Sequence, residues 1–350
     1  MDFELNIERI MFNTSQVITS FFPRVGFRQG TNTGYNIVDE ANQVSDSGLY
    51  FQDANALVTI PAIKDTHVDP DLSEDEFNEF LESVKNANIL KTLKTVLPSS
   101  DVLETSWLYG FADDWSSTTS KTSNFVGLKV KVPANKSVTV SDITMEFDGV
   151  QDITLYLYHT SKTTALQTKS VSTGLGNKVS VDWTLSTYDY PAGYFLIGYY
   201  VDDLSGVNAY TRKWNCSEIQ HRYRFIGVES VYIPSADIDL PNIDDEVMTS
   251  DTFGLNPLFA VREDYTQTLL ENVSRFDNLV MLFVAADLIE RMKLSVRSDF
   301  YERQAARAVT ELEGSKEFGI TGLYSQIKIE AHKVYSDLFG KPAYFNGTLR

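Results

Sequence analysis

The hydrophobic period of this chain changes twice along its length, from helical to alternating and back to helical. Nothing else in the sequence constrains its fold as much. Phe77, Phe80, Leu81 and Val84 recur at the i, i+3, i+4 spacing of one helix face. Ser73 precedes them as an N-cap with Glu76 three residues on, the pattern of a capping box. This predicts a helix over 73–97, with a break near Asn86 and Asn88 and a stop at Pro98.

From about residue 124 the period becomes two. Val126, Leu128, Val130 and Val132 alternate with small or basic residues, then Val138 and Val140 continue. Ile143, Met145 and Phe147 resume in the opposite phase, which places a β-bulge near Asp142. Ile153, Leu155 and Leu157 form another alternating set, as do Val179, Val181, Trp183 and Leu185. Residues 194–201 are apolar or aromatic on both faces and so belong to a central strand, and 223–233 supply a last one. Phe147-Asp148-Gly149, Gly174-Leu175-Gly176 and Pro191-Ala192-Gly193 mark turns.

Helical spacing returns at Leu269, Val273, Phe276, Val280 and Phe283, read as one stripe. Further helices are predicted over about 298–313, stopped by Gly314, and 322–339, stopped by Gly340 and Pro342. The fold class is therefore α+β, with helical N- and C-terminal segments flanking a central antiparallel β-sandwich of jelly-roll-like type. The division is 1–104, extended and helical; 105–235, the β-sandwich; and 236–350, an acidic linker followed by helices. The two helical parts would form one domain with the sandwich inserted. Residues 1–72 show little periodicity, and short strands and extended segments packing over another chain are expected there. Asp237, Asp239, Asp244, Asp245 and Glu246, with Pro234, Pro241 and Pro257, make 235–257 an extended linker.

Composition narrows the function. A net charge of −18 opposes direct nucleic-acid readout and an anionic membrane surface. The longest apolar run, Leu279 to Ile289, holds Asp287 and is too short to span a bilayer. The first ten residues lack the basic and apolar regions of a cleaved signal. Cys216 is the single cysteine, which excludes an intrachain disulfide and fits a reducing compartment.

Reactive clusters are not evident. His67, His159, His221 and His332 are far apart and lack metal-ligand spacing. There is no nucleophile elbow, and Gly174-Leu175-Gly176 lacks the third glycine of a dinucleotide loop. Asp113-Asp114-Trp115 and Asp202-Asp203 could in principle serve glycoside hydrolysis or calcium, but adjacent acids on a strand point to opposite faces. Trp115 and Trp214 are candidate sugar platforms, while Trp183 is in phase with the core. Neither an enzyme nor a cofactor is expected. Arg291, Lys293, Arg297, Arg303 and Arg307 gather basic charge at the C-terminal helices. Arg291, Arg297, Arg303 and Arg307 are candidate inter-subunit contacts, with Asp244 and Asp245 as acidic counterparts; the alternative is a solvated helix face with local pairs such as Asp299 with Arg303.

Two stretches, SDSGLYFQDANALVTI at 45–60 and YFLIGYYVDDLSGVNAY at 194–210, the latter preceded by ITLYLYHTS at 153–161, resemble structural proteins of bacteriophages infecting Bacteroidetes, including crAss-like phages. The resemblance implies a neck or head–tail connector protein of the virion, assembled in the host cytoplasm. It also implies a homo-oligomeric ring of about twelve copies, with the portal and other neck or tail proteins as partners. The alternative is a carbohydrate-binding sandwich on a fibre or surface protein.

Overall fold

The computed structural model describes residues 12–29, 38–66, 72–97, 102–109, 117–118, 124–211, 224–234, 247–249, 251–294, 300–317 and 319–340. The fold is α+β, a central antiparallel sheet region flanked in sequence by helices. The chain divides into two compact units: one holds residues 100–267, and the other joins 13–99 to 268–350.

The strands of the first unit are β1 (Glu104–Trp107), β2 (Phe125–Lys131), β3 (Lys136–Glu146), β4 (Asp152–His159), β5 (Gln167–Ser172), β6 (Leu175–Ser186), β7 (Phe195–Tyr200), β8 (Gly227–Ile233), β9 (Val247–Thr249) and β10 (Leu255–Glu263). One sheet has the order β1-β10-β3-β6, the other β9-β8-β2-β7-β4-β5. Successive strands cross repeatedly between the sheets, and every pairing within them is antiparallel. With the β8–β9 pair set aside, the eight strands wrap in the double Greek key of a jelly roll. The β8–β9 pair is an insertion that widens one sheet beside β2.

The alternating residues fill the space between the sheets. Val126, Leu128 and Val130 of β2, Leu155 and Leu157 of β4, Trp183 and Leu185 of β6, and Phe259 and Val261 of β10 share one core. The bulge predicted near Asp142 is present: the β3–β6 register shifts between Val140 and Asp142. Opposite it, Asp182 takes a left-handed φ of 51° and accepts a hydrogen bond from Ser180 Oγ at 3.0 Å. The two-faced β7 is central, between β2 and β4. Its second face joins Phe125, Tyr158, Leu196, Tyr200, Val231 and Ile233 in a smaller cluster on the outer side of that sheet. Gly127 and Gly198 sit side by side within it. A Cβ on Gly198 would lie 2.1 Å from the Val126 carbonyl oxygen, so the strands can approach only without side chains there.

One expectation fails here. The sequence reads 235–257 as a linker, yet β9 and the start of β10 lie within it. Pro257 disguised β10, because a proline inside an alternating run argues against a strand. It is tolerated where its carbonyl still accepts from Leu108 N at 3.0 Å.

The second unit contains α1 (Thr14–Phe21), α2 (Glu74–Val96), α3 (Asp277–Leu294), α4 (Phe300–Glu313) and α5 (Leu323–Phe339). Ser73 and Glu76 form the reciprocal capping box of α2. α2 is unbroken at Asn86 and Asn88, because the Asn88 amide donates to Val84 O at 2.9 Å and to Asp287 at 3.2 Å instead of unwinding the turn. α3 is apolar around most of its circumference and packs against α2, α4 and α5, as a central helix must. No helix among the described residues is long and apolar enough to cross a membrane. α5 ends at Gly340 in a left-handed conformation.

Two more expectations need correction. The stripe from Leu269 to Phe283 is not one helix: a short helix, Thr266–Glu271, gives way at Asn272 to a 3-10 turn, Val273–Phe276, before α3 begins. The Asn272 amide donates to Thr268 O at 2.9 Å, a local bond that competes with continued winding. The described part of residues 1–72 is largely helical rather than extended: Glu40–Gln43, Phe51–Ala54 and Ile60–Thr66 join α1, with one short parallel pairing of Val25–Gly26 to Leu49–Tyr50. Val17, Phe21, Phe27, Phe51 and Ile63 are buried within the chain itself. Polar contacts tie the two sequence halves of this unit together. Arg24 holds Asp277 through two hydrogen bonds of 2.9 and 2.5 Å, and Asn55 reaches Glu311 at 2.8 Å.

Candidate functional site

Three turns meet at one end of the jelly roll: the β3–β4 turn at 147–151, the β5–β6 turn at 173–174, and the segment 201–209 that follows β7. Sequence reasoning had marked each separately, as Phe147-Asp148-Gly149, Gly174-Leu175-Gly176 and Asp202-Asp203. The strand directions deliver all three to the same tip.

Side chains staple these turns to one another. Both oxygens of Asp148 accept from Asn208, from its backbone N at 2.7 Å and its amide at 2.8 Å. Phe147 bridges to Ala209. Gln151 N donates to Thr173 Oγ1 at 2.8 Å, and Thr173 Oγ1 donates to Gly149 O at 2.8 Å. The Gln151 amide spans to the third turn, accepting from Ser205 N at 2.8 Å and donating to the Asp203 carbonyl. Buried Glu146 accepts from Gly176 N at 3.0 Å. Burial raises the Glu146 carboxyl above the ordinary range, and the Gly176 bond opposes that only in part. Asp203 is also raised, mainly by desolvation.

The stapled tip leaves apolar side chains in water. Val150 is 80% exposed and Leu175 66%. A Cβ built on Gly174 would lie 3.8 Å from Val150, and one on Gly149 would lie 3.0 Å from Val207. Loops normally expose polar groups, so apolar groups held out on a hydrogen-bonded platform suit a contact with another surface. Asp202 and Asp203 do not converge as a catalytic pair; they occupy a 3-10 turn at the edge of the platform. No group of three or more His, Cys, Asp or Glu among the described residues is placed to hold a metal ion. Comparison with protein families, with curated proteins and with solved structures finds no match to this chain.

The other predicted residues fall elsewhere. Trp183 is in the sandwich core. Arg291 pairs with Asp287 at 3.1 Å, one helical turn away, and lies 5.5 Å from the Phe80 ring centre. Arg307 pairs with Glu311 at 3.7 Å, again one turn away. Both side chains remain about half exposed. Arg303 belongs to α4. Arg297, Asp244, Asp245, Asp299, Trp115 and Trp214 lie outside the described residues, as does the side chain of Arg303. His159 is buried against Tyr190 and Phe195, its Nδ1 accepting from Ser161 N at 3.1 Å. Burial first, and Lys162 second, lower its pKa and favour the neutral ring.

Sequence reasoning missed Lys85. It lies on α2 with no exposed surface, and its Nζ has no hydrogen-bond partner. The ammonium sits 3.8 Å from the centre of the Phe22 ring. Desolvation lowers its pKa to about 8, against the weaker opposing pull of Asp39, Glu82 and Asp46. The only signal in the sequence was its phase, one position on from Val84 at the edge of the apolar stripe.

Proposed function

We propose that this chain is a structural virion protein of a bacteriophage neck or head–tail connector, which forms a ring with its own copies and works through subunit packing. The observation that carries this reading is where two of the three phage-like stretches fall, the third, at 45–60, lying in the helical unit. ITLYLYHTS and YFLIGYYVDDLSGVNAY become β4, β7 and one wall of the stapled tip. Residues that resemble a structural family therefore build the surface best suited to meet another protein. The jelly roll supports it, since that architecture recurs in viral capsid proteins, although it also serves lectins and fold alone does not fix function. The strong negative charge supports it too: like-charged copies stay soluble until matched surfaces meet.

Negative-stain imaging of the purified chain, together with a protein inventory of purified phage particles, tests the reading. Closed rings of about twelve copies and presence in the particle are expected. A monomer that is absent from particles overturns it.

A further inference from the structure

We propose that the stapled tip of one copy docks on the lysine-bearing flank of the six-stranded sheet in the next copy. This rests on the ring reading and supplies its contact. The two surfaces are complementary in charge. The tip segments 147–152, 173–177 and 201–209 carry Asp148, Asp152, Asp202 and Asp203 and no Lys or Arg. The flank is the reverse: from 153 to 172 there is no Asp or Glu, but there are Lys162 and Lys169. In a chain of net charge −18, a stretch of that length with only positive charge is a strong local departure.

The structure puts the two at different places on one compact unit. The tip is the end where β3 turns into β4. The flank is β5, the outermost strand of its sheet among the described residues, and its Gln167–Ser170 run is exposed. The docking charge falls to exposed Lys162 and Lys169. Lys169 pairs with Leu155, which faces the inter-sheet core, and on that side Leu166 and Tyr190 are only partly buried, apolar ground for Val150 and Leu175. Because the tip and the flank are different surfaces, the contact is heterologous, the kind that closes into a ring when the rotation permits. A second copy is favoured over an unrelated basic protein because the complement of the tip is present on the same chain.

Sedimentation velocity of the full chain tests this with two double variants, Val150→Asp with Leu175→Asp at the tip, and Lys162→Glu with Lys169→Glu on the flank. The wild type assembles. Each variant keeps the wild-type circular dichroism and sediments as a monomer, with association at least about tenfold weaker. An equimolar mixture of the two gives dimers and nothing larger, because only one intact tip and one intact flank can meet. If the tip pair alters the circular dichroism, Asp202→Lys on an exposed carboxylate makes the same test. Variants that assemble like a self-associating wild type overturn the contact and leave the ring reading intact. A wild type that never assembles overturns both.

Discussion

The two units of this protein solve the same packing problem in opposite ways. The jelly roll closes through strand pairing and tied turns: its strands alternate apolar and polar, and side-chain bonds such as Asp148 to Asn208 and Thr173 to Gly149 join its turns. The helical unit closes over long range, with Arg24 holding Asp277 across 253 residues of sequence. It also retains a cost, the buried and unpaired Lys85. The difference bears on which unit is proposed to present a surface. A body whose loops are already fixed loses little entropy on docking, whereas a body holding an unpaired charge has stability in reserve.

That contrast can be broken from either side, and the largest effect is expected in the helical unit. Arg24→Met leaves Asp277 buried without its partner and should cost about 3 kcal/mol in denaturant unfolding. Close behind is Gly198→Ala in the jelly roll. Its Cβ would strike the Val126 carbonyl and the Phe125 ring, and a loss of about 2–3 kcal/mol is expected. Equal tolerance of alanine at Gly198 and at an exposed site would mean that the strands are not held as closely as described.

Lys85→Met should act in the opposite direction. The folded pKa of about 8 lies below the free value of 10.5, so between these values the unfolded chain binds more protons. Wild-type stability therefore rises from about pH 8 to about pH 10.5, and below that window the full cost is present. Methionine removes the cost, raising stability at pH 7 by about 1–3 kcal/mol and flattening the pH dependence. A destabilised methionine variant would show that the Phe22 contact outweighs desolvation. The smallest effect belongs to Glu146→Gln, which keeps an oxygen for Gly176 N. Because burial raises the Glu146 pKa, the wild type gains stability as pH falls through that raised value. The amide should gain up to about 1 kcal/mol at neutral pH and lose that acid-side rise, as read from melting curves across pH.

The same contrast explains what the sequence revealed. Strands with one face in the core wrote themselves as alternation, and even the bulge at Ser141 showed as a phase change between Val140 and Ile143. The Ser73–Glu76 box marked the start of α2 to the residue. The short helices before residue 67 did not show, because four to eight residues carry too little of a stripe. β10 was hidden by Pro257 and the acidic run before it. Two turns of the tip, at 147–149 and 174–176, were legible as turns, while Asp202-Asp203 read as acids on a strand; the meeting of all three depends on strand order, which no local pattern encodes. Lys85 stayed unseen because burial of a lysine is a tertiary accident of where Phe22 and Phe51 pack.

Association through matched surfaces is the claim on which the rest turns. Mass photometry of the full chain over a range of concentrations at moderate salt addresses it most directly. The expected result is one closed species, of about twelve copies, whose mass stays constant as concentration rises and which dissociates as salt screens the charges. A single-chain mass at every concentration would contradict it.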